Sequence, residues 1–307
     1  MSKTIGNAFG KIILMGEHAV VYDAYAIAMP FFATKVSCEL SFGENTINSF
    51  MYHGKFEHAP KHMNGILTLL KTLKETYDDN HTYHININSS IPQQRGMGSS
   101  AAVANALIDA YDQFHQLNLT FDEKFNYSMI AETINHGKPS GIDSLTTMSL
   151  KPIYFKKGPV FETISSNCSG FLIVADSQIK GETFEAVLEV ANKIHEKSTQ
   201  NIIAKLDQLS KMTKVALEED QLVVLGEYMN QAHQLLDELN VSHPVVNKMV
   251  KLALSSGAYG AKMTGGGKGG VMIAVAPSEV HGKNIVQVLK SHGFNNTWML
   301  DLKEAFP

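Results

Sequence analysis

Polar and apolar residues alternate over His84-Ile-Asn-Ile-Asn88, the period of a half-buried strand. Val103, Leu107, Ala110, Tyr111 and Phe114 then recur at helical spacing. The stretch between them, PQQRGMGSSAA from Pro92 to Ala102, is therefore a loop that carries a strand into a helix. Apolar runs predict two short buried strands, 12–14 and 19–21, around the bend Met15-Gly-Glu-His18. Further strands are expected at 33–42 and, more faintly, at 47–56. Residues 62–77 carry an apolar helical face (Ile66, Leu69, Leu70, Leu73), and 121–135 repeat the pattern. A strand pair at 145–155 and 159–164 closes the first half. Residues 165–169 are polar and without periodicity, so the domains are expected at 1–166 and 167–307. The second half opens with a strand at 170–176. Helices follow at 182–194, 199–216, 221–239 and 244–255, the last started by Ser242-His243-Pro244. Strands at 259–263 and 271–275, a helix at 278–292 and a strand at 296–302 complete the chain.

Composition narrows the class. The 307 residues are 44% hydrophobic and 18% charged, with a net charge of −4, which is an ordinary globular balance large enough for two cores. No Lys/Arg block stands out, so nucleic acid is not expected as a partner. The longest apolar runs, such as Phe171–Ala175, are strand-length, so no membrane partner is expected, and MSKTIGNAFGK lacks an apolar signal core. Cys38 and Cys168 form neither a metal spacing nor a disulfide framework, which suits a reducing, cytoplasmic setting.

Four stretches carry candidate chemistry. In the first, Gly96 and Gly98 permit positive φ, and Ser99 and Ser100 are N-cap candidates. A helix start offers unpaired N–H groups and partial positive charge, which suits a phosphate. The loop is neither G-x-x-x-x-G-K-[ST] nor G-x-G-x-x-G. Taken alone, it could equally be a simple strand-to-helix turn. The second string, FGKIILMGEHAVVY, sets Lys11 before the acid–His pair Glu17-His18; residue types alone also allow a snorkelling lysine and an ordinary turn. In the third, His136-Gly-Lys-Pro-Ser-Gly-Ile-Asp143, Pro139 stops a helix and Asp143 could cap the next. Glu132, just upstream, could be a solvated helix acid. Gly257–Val271, GAYGAKMTGGGKGGV, has a longer Gly run than a two-residue hairpin needs. His233 and His243 are expected to be structural.

Together these strings resemble the GHMP kinases along essentially the whole chain. Pro92–Ala101 is similar to their phosphate loop P-x-x-x-G-[LM]-G-S-S-A. Lys11–Tyr22 resembles K-[IV]-x-L-x-G-E-H-A-V-V-Y, and His136–Asp143 resembles H-G-x-P-S-G-[VI]-D, both in the form found in mevalonate kinases. The Gly run resembles the third motif, with Lys268 where the family more often has Gly and Asp23-Ala24-Tyr25 where it often continues Gly-x-Pro-Ala. His18 and the P-S-G-x-D string speak against the phosphomevalonate and galactose kinases. A non-catalytic ligand-binding relative is disfavoured by Lys11, Glu132 and Asp143 standing together.

The resemblance implies a two-domain α+β fold, with a left-handed β-α-β unit in the N-terminal domain and a ferredoxin-like C-terminal domain. It implies small-molecule substrates, ATP and mevalonate, with phosphoryl transfer to the C5 hydroxyl and Mg²⁺ as the metal. Asp143 and Lys11 would be catalytic, Asp143 as the base and Lys11 keeping it ionised and stabilising developing charge. Pro92, Arg95, Gly96, Met97, Gly98, Ser99, Ser100 and Ala101 would bind ATP, and Gly265, Gly266 and Gly267 would close over its phosphates. Glu17, His18 and Asp143 would bind the acceptor, and Ser100 and Glu132 would hold the metal. A monomer or homodimer is expected.

Overall fold

In the computed structural model, residues 3–137, 139–157 and 161–306 are described. Strand β1, Lys3–Met15, runs unbroken through Lys11, so that lysine lies within a strand and not at its start. The run 19–21 is not a strand: Ala19–Tyr22 form one 3-10 turn. Gly16 (φ 95) and His18 (φ 60) leave the extended region, and a short apolar run cannot by itself distinguish strand from helix. Strand β2, Tyr25–Phe42, follows and pairs with β1.

The chain forms two compact units, and neither is one continuous segment. The first comprises the chain up to Lys11, Phe31–Pro92 and Gly98–Leu150. Here the faint strand splits into β3, Thr46–Asn48, and β4, His53–Lys55. Helix α1, Asn64–Thr76, precedes β5, Tyr83–Ser89. Strands β3 and β5 pair in parallel, so α1 is the helix of a β-α-β connection, and β5 pairs antiparallel with β2. Helices α2, Ser99–His115, and α3, Phe121–His136, pack with α1. The Thr120/Glu123 capping box starts α3. A strand was expected from 145, but α4, Ile142–Met148, occupies its beginning. The helix accommodates its threonines by back-bonding: the Thr146 and Thr147 hydroxyls bond to the carbonyls of Ile142 and Asp143.

The second unit comprises Ile12–Pro30, Gln93–Met97 and the chain from Lys151. Strand β6, Ile153–Lys156, pairs with the N-terminal part of β2 and with β7, Phe161–Thr163. Pro159 and Val160, the expected beginning of β7, lie outside the described residues. Strand β8, Phe171–Asp176, leads to helices α5, Thr183–Lys193, α6, Lys197–Glu218, α7, Leu222–Glu238, and α8, Pro244–Ser255. Strands β9, Gly260–Thr264, and β10, Val271–Ala276, follow, then α9, Glu279–Ser291, β11, Thr297–Asp301, and the short α10, Leu302–Ala305. The sheet order is β11-β8-β10-β9, all antiparallel, with helices between its first and second and its third and fourth strands. That is the ferredoxin-like arrangement. Both β9 and β10 are buried throughout; β10 reads as an apolar run, whereas β9 carries the buried Lys262 and Thr264.

One close approach fixes how α7 meets this sheet. A Cβ on Gly260 would lie 2.1 Å from the Gly226 carbonyl oxygen, a backbone atom with no rotamer to change. Gly260→Ala is expected to destabilise the protein by about 1–3 kcal/mol or more, as overpacking does, measured as a lowered denaturation midpoint. An unchanged midpoint would show that α7 can move away from β9 at little cost. Among the described residues no helix is long and apolar enough to cross a membrane.

Candidate active site

The first unit gathers one group of candidate residues. Lys11 enters on β1 and Asp143 stands in the first turn of α4. Lys11 Nζ lies 2.8 Å from Asp143 Oδ1; the lysine side chain is 3% exposed and the aspartate 36%. A buried ammonium paired with a half-open carboxylate leaves the carboxylate accessible to a ligand. The helices around Asp143 fix its position. Asn105 on α2 donates to the Ser144 carbonyl (3.0 Å) and Thr147 Oγ1 (2.8 Å), and Ser128 on α3 bonds Ser144 Oγ at 2.9 Å. These supporting residues were not legible in the sequence. A small polar residue on a helix signals nothing until its partner is known.

The α2 start differs from the expectation that Ser99 or Ser100 caps it. Gly98 is the N-cap, at φ 70, and no side chain caps the helix. A Cβ there would meet Lys11 Cγ at 2.8 Å and Thr147 Cγ2 at 3.0 Å, so glycine is what lets Lys11 pass the helix start. The first bond of the helix runs from Ala102 N–H to the Gly98 carbonyl. The amides of Ser99, Ser100 and Ala101 precede it, as the leading amides of a helix do. Ser100 Oγ donates to Glu132 Oε1 at 2.7 Å and accepts from Asn135 Nδ2 at 2.7 Å. Glu132 is buried on α3, with His136 Nε2 3.7 Å from its other oxygen. Burial raises its pKa; His136 lowers it and Asp143 raises it. A buried carboxylate held against a hydroxyl is short of positive charge, so these two oxygen donors fit a hard divalent cation that brings further ligands of its own. Among the described residues no group of three or more His, Cys, Asp or Glu could hold a metal alone.

The second unit holds the other candidates. Thr264 Oγ1 donates to the Ile13 carbonyl (2.8 Å) and accepts from Ile13 N–H (3.1 Å), joining β9 to the strand that leads into the Gly16-Glu17-His18 bend. His18 is buried, and its pKa falls to about 4, chiefly through burial; a bond to the Gly266 backbone opposes this and the Lys262 charge adds to it. Among the described residues its Nε2 has no hydrogen-bond partner. Glu17 is buried and ion-paired with Lys262 of β9, a partner the sequence reading did not single out.

Gly96 and Gly265, both at positive φ, approach so closely that a Cβ on Gly265 would lie 2.8 Å from Gly96 Cα. The Gly run and the segment Gln93–Met97 therefore touch backbone to backbone. Arg95 turns away from any role as a free cation: Nε bonds Asp176 Oδ1 at 2.8 Å and Nη2 the Gln178 carbonyl at 3.2 Å. Pro92 leads into this loop, and Met97 is buried beneath it. Lys268 occupies φ 55, a region that favours glycine, and its ammonium reaches Glu189 of α5 at 2.8 Å. Bonds from Asn240 and Lys268 hold the Glu189 carboxyl down at about 2. His233 and His243 serve the backbone, accepting from Met263 N–H (3.3 Å) and Val245 N–H (3.2 Å).

Two family models match separate stretches of the chain. Residues 64–150 match the GHMP kinases N terminal domain, and 213–295 match the GHMP kinases C terminal domain. A mevalonate kinase of Pyrococcus abyssi is 32% identical over 90% of this chain and 89% of its own length. The crystal structure of mevalonate kinase from methicillin-resistant Staphylococcus aureus MRSA252 is 32% identical, covers 99% of this chain and all of its own, and has a TM-score of 0.75. That of L. major mevalonate kinase in complex with R-mevalonate is 25% identical over 98% of this chain and 96% of its own, with a TM-score of 0.82. Family matches in both halves, and relatives of this identity along 90% of its length, place the chain in the GHMP kinase family, among the mevalonate kinases.

Proposed function

We propose that the chain transfers the γ-phosphoryl group of ATP to the C5 hydroxyl of mevalonate, releasing ADP and 5-phosphomevalonate, an isoprenoid precursor. The observation that carries this reading is the grouping of Lys11, Asp143, Ser100 and Glu132 in the first unit. Phosphoryl transfer asks little covalent chemistry of the protein and much positioning and charge neutralisation. Asp143 takes the hydroxyl proton as the hydroxyl oxygen forms its bond to the γ-phosphorus and the bond to the β–γ bridging oxygen breaks. Lys11 stabilises the charge that develops there. The amides of Ser99, Ser100 and Ala101 and the dipole of α2 hold phosphate oxygens. Gly265, Gly266 and Gly267 bring backbone close to the phosphates, and His18 and Glu17 serve acceptor recognition. Mg²⁺ held by Ser100 and Glu132 would neutralise phosphate charge. The buried free thiols Cys38 and Cys168 support a reducing, cytoplasmic setting, and light scattering on the purified chain would distinguish monomer from homodimer.

ADP release with a panel of alcohols tests the reading. Mevalonate is expected to be the preferred acceptor, and preference for phosphomevalonate or galactose would overturn it. A second measurement tests the metal assignment. Ser100→Ala and Glu132→Gln are each expected to shift the velocity curve against free Mg²⁺ more than they change the mevalonate KM. Unchanged Mg²⁺ curves in both variants would place the metal elsewhere.

A further inference from the structure

Lys262 is 0% exposed, and buried ammonium groups are tolerated only when paired. Its Nζ donates to Glu17 Oε1 and to the Met263 carbonyl (2.7 Å). Thr264, two residues on, bonds both main-chain groups of Ile13. Strand β9 therefore holds β1 and the bend that follows it at two points, one before the bend and one inside it. The residue next to the second point is His18, whose backbone sits at φ 60 and ψ −42. Non-glycine residues occupy such conformations only where their surroundings enforce them.

The His18 ring is also constrained. Its bond to the Gly266 backbone favours the N–H form, so the ring donates there. Nε2 is the nitrogen without a partner, so Nδ1 is the donor. With the ring neutral, Nε2 carries a lone pair and no proton. A bare nitrogen accepts from a hydroxyl but offers nothing to a carboxylate.

Resting on the mevalonate kinase reading above, we propose that Lys262 is a positioning residue for the acceptor alcohol: by pinning Glu17 it holds His18 with Nε2 as a bare acceptor for a substrate hydroxyl. With Oε1 held by Lys262, Glu17 serves acceptor recognition by supporting His18.

The test separates positioning from stability. Lys262→Met removes a buried counter-charge from Glu17 and is expected to lower the melting temperature. The double variant Glu17→Leu/Lys262→Met removes both charges together and is expected to recover much of it, as apolar replacement of buried pairs often does. The double variant is still expected to show a mevalonate KM raised about tenfold or more, with the ATP KM within about twofold, because a lost substrate hydrogen bond is read in the acceptor alone. A stable double variant with the wild-type mevalonate KM would overturn the proposal. Nitrogen chemical shifts of the His18 ring in the wild-type chain, assigned by comparison with His18→Asn, provide a readout that needs no Lys262 variant. The neutral Nδ1–H tautomer near pH 7 is expected, and an Nε2–H tautomer or an imidazolium would overturn the proposal. A wild-type chain that releases no ADP with mevalonate would refute the substrate reading instead, while the ring shifts would still decide the state of His18.

Discussion

Asp143→Asn is expected to lower kcat by about 10²–10⁴-fold, the usual contribution of a general base, while ATP and mevalonate still bind. Asparagine keeps the size of the side chain and can still accept a hydrogen bond from Lys11, 2.8 Å away in the native protein. It cannot take a proton at neutral pH. The exchange removes the counter-charge of the buried Lys11, so some loss of stability is expected beside the kinetic defect. The Asp143 side chain is 36% exposed, and α4 is held through Ser144 and Thr147 and not through the carboxylate. The measurement is steady-state ADP release with each substrate varied, alongside a thermal melt. A melt like the wild type's combined with near-normal turnover would remove Asp143 from the proton transfer. A loss confined to KM would make it a binding group only.

The sequence reading located the regular elements that expose one face. Pro244–Ser255 emerged as a helix with the expected bounds because a proline at its first position and an apolar stripe agree. It failed over short segments, where too few residues are present to show a period: the strand expected over 19–21 is the 3-10 turn Ala19–Tyr22, and the strand expected from 145 begins inside the helix Ile142–Met148. The site divides in the same way. Lys11, Ser100, Glu132 and Asp143 were legible because their motifs resemble a family, and the structure brings them together. Arg95 was expected among the ATP contacts, yet its guanidinium is engaged by Asp176, a strand-end acid with no motif of its own. Lys262 sits inside the quoted string GAYGAKMTGGG and still escaped notice. A lysine in a strand ordinarily snorkels, and only the depth of its burial beside Glu17 marks it as different. Buried polar partners are chosen by three-dimensional approach, which local spacing does not encode.

His18→Ala is expected to impair mevalonate and leave ATP nearly untouched. With a pKa lowered to about 4 by burial, the ring is neutral near pH 7. Its partnerless Nε2 can then accept from one substrate hydroxyl. Truncation removes that bond and strands the hydroxyl in a site shielded from water, a loss of about 1–3 kcal/mol. That corresponds to about 5–150-fold in kcat/KM for mevalonate. Any relaxation of the bend adds a stability term, so a thermal melt must accompany the kinetics. His18→Asn sharpens the test. Asparagine is enriched several-fold at positive φ relative to most residues, so it suits the φ of 60 here, and its amide oxygen can replace the lost acceptor. It should therefore recover part of the mevalonate defect that alanine shows, at similar stability. A defect that falls on the ATP KM, or no defect in a well-folded variant, would sever His18 from acceptor recognition. It would also reopen the choice between mevalonate and other small alcohols as the substrate. Equal defects in alanine and asparagine would point to the ring's packing, and not its lone pair, as what the acceptor site requires.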